Sequence, residues 1–153
     1  NFIFIGTMNP SDTNTEKLSN VFLDRFDIVH MQHPEKEETE EQIVVEKGQK
    51  LADFPKPLLT LTISFVRGLR ENKKVERAPS VRASIGLYER AQTNALLRGR
   101  KQVVAEDIKD AMLSVLAHRI ELKPSAKYAL SPEEFLVEEL KNFGETQDKG
   151  GYL

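Results

Sequence analysis

Between positions 106 and 120 the apolar residues Ile108, Ala111, Met112, Val115 and Leu116 recur at i, i+3, i+4, i+7 and i+8. That spacing is the period of one helix face and not the alternation of a strand. A stripe of this kind holds a helix in water only when other elements cover it, so it predicts a packed helical unit. Its neighbours read the same way. Residues 80–98 set Val81, Ile85 and Tyr88 on one stripe beside Leu87, Ala91 and Ala95, with Ser80 in position to cap. Residues 131–143 begin with Ser131 and Glu134, the reciprocal pair of a capping box. Carboxylates crowd the start of 34–51, where the backbone dipole of a helix N-terminus favours negative charge.

The segment 56–72 is in conflict with itself. Leu59, Leu61, Ile63 and Phe65 alternate with Thr and Ser as in a strand, while Leu58, Thr62, Phe65, Val66 and Leu69 fit a helix face. Its length and the early Pro57 decide for a helix. Before Pro34 the pattern changes. Residues 1–6 are a short apolar run of Phe and Ile, the mark of a strand buried on both faces of a parallel sheet. A polar loop, a short helical turn at 18–25 and a second strand candidate at 27–33 follow. The fold class expected is therefore mainly α, a helical bundle preceded by the last strands of an α/β core. The expected domains are 1–34, 35–143 and a frayed tail at 144–153. A chain that opens inside a core element, with Asn at position 1, reads as part of a longer protein.

Net charge is −2 and 30% of the 153 residues are charged, so no global field draws the chain to nucleic acid or to a membrane surface. Cysteine is absent, which removes disulfides and thiolate metal sites and suits a reducing compartment. No stretch approaches the roughly 18 apolar residues of a spanning helix.

Three short motifs carry possible chemistry. The first is TMNP after the first strand. A parallel strand delivers its C-terminal end to the ligand crevice of an α/β fold, and the amide of Asn9 could meet a phosphate oxygen and a water there. Its ordinary alternative is a loop cap before Pro10. The second is LDRF, where Arg25 is either a surface ion pair with Asp24 or a guanidinium reaching a neighbouring subunit's phosphate site. The third is PSVRAS. Arg82 falls in the first turn of a helix, where free N–H groups already favour an anion, so a cation is misplaced unless an anion binds.

In order, FIFIGTMNP, LSNVFLDRFD and APSVRASIGLYERAQTNALLRGRKQVVAEDIKDAMLSVLAHRI resemble the second half of an AAA+ module of the MoxR and magnesium-chelatase type, over about residues 1–120. The resemblance implies that Asn9 is sensor 1, Arg25 the arginine finger and Arg82 the sensor-2 arginine. It implies an ATPase with ATP and Mg²⁺ as cofactors, working as a cytoplasmic homo-oligomeric ring, a hexamer, with a von Willebrand A-domain protein as possible partner. Neither a GxxxxGK[ST] loop nor an acidic Mg²⁺-binding strand end occurs in this sequence. Both lie upstream in the family, so this stretch alone is expected to be inactive. Val104 stands where the family has a Thr or Ser cap. The rival readings are a fragment of a minichromosome-maintenance helicase and a non-catalytic helical interaction module.

Other features read blandly. His30 and His33 would point to opposite faces of a strand, and no metal site is expected. His118 suits a helix C-terminus. Arg67, Arg70, Lys73, Lys74 and Arg77 read as a solvated run, and 35–46 as a solvated acidic face.

Overall fold

The computed structural model describes residues 1–8 and 18–149. The chain divides into two compact units, Asn1–Gln32 and His33–Leu153.

The first unit holds one short helix, α1 (Asn20–Leu23), whose first turn is capped by Ser19 accepting from the Phe22 N–H at 3.2 Å. Phe26 lies 4.8 Å from Phe22 and 5.9 Å from Phe4, centroid to centroid. Residues 1–6 and 27–33, expected as strands, form none. Phe2 is 91% exposed and Ile3 90%. The physical reason is that a strand of a parallel sheet takes its ladder and both covering layers from neighbours, which the described residues of this unit do not supply.

The second unit is helical, as the periodicity predicts. It runs α2 (Glu37–Lys47), α3 (Lys56–Glu71), β1 (Val75–Arg77), α4 (Val81–Leu97) and α5 (Ala105–Leu116), then a 3₁₀ turn, Ala117–Arg119. β2 (Glu121–Leu122), α6 (Pro124–Lys127) and α7 (Pro132–Lys149) complete it. α7 thus continues past the boundary expected at Phe143. Its capping box is formed: Ser131 N–H donates to Glu134 at 2.8 Å, and Glu134 N–H to the Ser131 hydroxyl at 3.2 Å.

α4 is the central element, and it faces two cores. Ala83, Leu87, Ala91 and Ala95 meet the α5 stripe of Ile108, Ala111, Met112 and Val115 in the larger cluster, which Phe135 and Leu136 of α7 help to close. Gly86 lets the two helices approach, for a Cβ there would lie 3.2 Å from a Val115 methyl. Tyr88, on another face, joins Val44, Leu59 and Ile63 in the smaller cluster and stacks on Phe54 at 5.2 Å. α4 ends at Arg98, and Gly99 turns the chain at φ +71°, a conformation that a Cβ would strain.

The conflict in α3 resolves by face. Leu59, Ile63, Phe65, Val66 and Leu69 are buried. Thr60 and Ser64, one turn apart, turn to α2 instead: Thr60 donates to Glu41, and Ser64 to Glu37 at 2.8 Å. The pairing order shows that α2 and α3 run antiparallel. One feature escapes the sequence patterns entirely, an antiparallel pairing of β1 with β2 that matches Val75 to Leu122 and Arg77 to Glu121.

Candidate functional site

Of the three residues singled out by motif, Asn9 lies outside the described residues. Arg25 and Arg82 fall in different units. Arg25 is exposed just beyond α1, and its guanidinium turns back to donate to the Val21 carbonyl. The ordinary alternative, an ion pair with Asp24, does not occur among the described ion pairs.

Arg82 stands on the first turn of α4, exposed. None of the ion pairs among the described residues uses it. Ser80 occupies the N-cap position in extended backbone, but its hydroxyl makes no capping bond, contrary to expectation. Only its carbonyl serves the helix, accepting from Ala83 N–H at 2.8 Å. A helix start without a side-chain cap leaves N–H groups open, and the adjacent guanidinium adds donors and positive charge. The combination is electrostatically suited to an anion.

Beneath this turn lies a cluster that the sequence patterns did not reveal. Glu40 of α2 is fully buried. Arg70 of α3 grips its carboxylate with both terminal nitrogens, at 2.6 and 2.8 Å. Ser84 of α4 donates to the same carboxylate at 2.6 Å, and Arg67 approaches it at 3.5 Å. Arg67 also donates to the carbonyls of Pro34 at 2.8 Å and Glu35 at 2.7 Å. The Nε of Arg70 donates to the Pro79 carbonyl at 2.9 Å. Burial pushes the Glu40 carboxyl up, but the hydrogen bonds from Arg70 and Ser84 and the charges of Arg70 and Arg67 outweigh it and hold it below its usual value. His33, beside the same group, is held below its usual value by burial and then by the Arg70 charge.

These contacts correct two expectations. Glu40 is not part of a solvated acidic face, and Arg67 and Arg70 are not a solvated loop. A signal was available: two arginines three residues apart on an otherwise apolar helix need an anionic partner once that helix packs.

The stretch after α4 is also tied by charge. Asp107, fully buried, accepts from Arg98 at 2.9 Å, from Arg100 at 2.5 Å and from the Val104 N–H at 3.0 Å. Val104 has no side-chain acceptor to offer, so this is half a capping box, with Asp107 serving the helix start from inside. Asn94 adds a bond to the Asp107 carbonyl at 3.0 Å. The residues of LLRGR and EDI therefore join the end of α4 to the start of α5. Among the described residues no group of three His, Asp or Glu could hold a metal ion. No helix among them is long and apolar enough to cross a membrane.

A helical bundle around a central helix, closed by a short strand pair, is the class of fold this unit defines. Residues 69–140 match the AAA lid domain family, a stretch that includes α4, α5 and Arg82. Over that stretch the helical unit is therefore similar to the AAA lid domains. The chain is 35% identical over 78 residues to the uncharacterized protein YeaC of Bacillus subtilis, covering 51% of this chain and 24% of YeaC. In fold it is similar to the crystal structure of a candidate ATPase from Cytophaga hutchinsonii, with TM-score 0.54 and 22% identity, over 87% of this chain and 51% of that one. The chain thus spans about a quarter of the first relative and half of the second.

Proposed function

We propose that this chain supplies the end of the core and the lid of a MoxR-type AAA+ ATPase. In this reading ATP and Mg²⁺ are held chiefly by residues outside this sequence, and the chain adds the groups that sense and trigger hydrolysis. Arg82 contacts the γ-phosphate of its own subunit's nucleotide, Asn9 orients the attacking water, and Arg25 stabilises transition-state charge in the adjacent subunit of a cytoplasmic hexameric ring. Lid motion then does work on a partner protein, for which a von Willebrand A-domain protein is the proposed class. The observation that carries the reading is the exposed, unpaired Arg82 on an uncapped helix start. A cation in that position is costly unless an anion joins it.

The test uses the full-length protein. Arg25→Ala should leave ATP binding nearly intact and lower turnover by about 10³- to 10⁵-fold, as arginine fingers do in related phosphoryl transfer. Arg82→Ala should impair binding or turnover in every subunit that carries it. Mixing Arg25→Ala with a protein lacking the phosphate-loop lysine should restore some activity, because some interfaces then pair a sound site with a sound arginine. Mixing Arg82→Ala with that lysine variant should restore none, since both lesions disable their own site. Equal rescue in both mixtures overturns the assignment.

A further inference from the structure

We infer that Glu40, Arg70 and Ser84 are positioning residues for Arg82, and that Arg67 carries the same cluster to the point where the chain enters the helical unit. The inference rests on the reading of Arg82 as a phosphate-contacting arginine and names what holds it in place.

Arg82 touches no partner of its own, so the direction of its side chain is set by the backbone of the first turn of α4. That turn is gripped on both sides of Arg82. Before it, the Pro79 carbonyl accepts from Arg70 Nε at 2.9 Å; after it, the Ser84 hydroxyl donates to Glu40 at 2.6 Å. Both grips converge on one ion pair, because Arg70 holds Glu40 through two bonds of 2.6 and 2.8 Å. From the other side Arg67 binds the Pro34 and Glu35 carbonyls, next to the first residue of the unit. One buried carboxylate thus links the segment that enters the helical unit, α2, α3 and the start of α4.

Stability alone is a poor reason for this arrangement. Replacing a buried ion pair by packed apolar side chains of similar volume is often neutral or stabilising. The two apolar clusters already hold α4 along its length. What charge-assisted, bidentate bonds add is direction, and direction matters at a group that must meet a phosphate. Glu40 stays anionic through neutral pH, so the cluster is intact under working conditions.

The experiment is a double-mutant cycle in the full-length protein, read as ATP turnover and as affinity for a fluorescent ATP analogue. Glu40→Gln keeps shape and removes charge; Ser84→Ala removes one hydroxyl and leaves the Glu40–Arg70 fork. With Arg82 present, Glu40→Gln should lower kcat/KM and nucleotide affinity about tenfold, and Ser84→Ala about threefold. In an Arg82→Ala background each should change them less than about twofold, because the residue they position is gone. If Glu40→Gln fails to fold, Ser84→Ala alone decides by the same comparison. Equal losses in both backgrounds, or no loss with Arg82 present, overturn the inference while leaving the Arg82 reading intact. Wild-type behaviour of Arg82→Ala by itself overturns that reading, and the inference with it.

Discussion

The two units of this chain are equally rich in apolar side chains at first sight, yet they treat them oppositely. In the helical unit Leu87, Leu116, Phe135 and Val66 are wholly buried, and polar groups such as Glu40, Gln92 and Asp107 are buried with partners. In the first 32 residues Phe2, Ile3, Ile5 and Met31 are exposed and the described residues form no strand. The difference is one of how an element finds its hydrogen bonds. A helix satisfies its backbone internally and needs neighbours only for one stripe, whereas a strand needs neighbours for its backbone as well. Helical periodicity is therefore realised within a short chain, and strand character waits for a sheet.

Core substitutions should separate the units most sharply. Leu87→Ala should cost about 2–5 kcal/mol by chemical denaturation, since Leu87 is fully buried between α4 and its partners. Phe4→Ala, an equally drastic truncation on paper, should change stability by less than about 0.5 kcal/mol, because Phe4 is 64% exposed. Similar losses from both would show that the first unit has a core of its own.

Acid should produce the next largest effect, and in the helical unit alone. Glu40 has a folded pKa below its ordinary 4.5, so the unfolded chain binds its proton first. Its contribution is fully present above about that value and is lost as pH falls through the lower folded value. His33, depressed from 6.5, acts in the same direction at higher pH: stability declines as pH drops below that value, until the folded state also takes the proton. Melting temperature followed from pH 8 to pH 3 should thus fall in two steps. Glu40→Gln should abolish the lower step and keep the upper one. A lower step unchanged by that substitution would assign it to other carboxylates.

The smallest effect is expected from removing the first unit. Deleting residues 1–32 should leave one cooperative transition within about 2 °C of the original. Extending the cut through Pro34 should lower it further, because Arg67 then loses a carbonyl that it binds at 2.8 Å. Loss of helical circular dichroism on the shorter deletion would show that the helical unit depends on residues 1–32 for its fold.

How much of this was legible depended on how far a pattern reached along the chain. The α5 stripe spans several turns, so Ile108 to Leu116 announced both helix and buried face. α3 was legible as a helix only by weighing length against alternation, and the meaning of Thr60 and Ser64 emerged once α2 was seen to supply their acceptors. Glu40 was hidden because carboxylates occupy every side of α2, and nothing local marks the one that is buried. β1 and β2 were out of reach of any periodicity, being three and two residues long. Arg82 stood out from local electrostatics alone, whereas its support comes from positions 40 and 70, distant in sequence.

That minimal strand pair has a consequence in time. Val75 meets Leu122 across the whole of α4 and α5, and Lys123 N–H reaches the Lys74 carbonyl at 2.9 Å. Closing so long a loop costs more entropy than a few ladder bonds return. The ladder therefore forms only after α4 and α5 have docked and brought its ends together. Hydrogen exchange at the Lys123 amide consequently reports the completed helical unit and not its nucleus: protection arises last during refolding and is the first to disappear when α4 and α5 loosen.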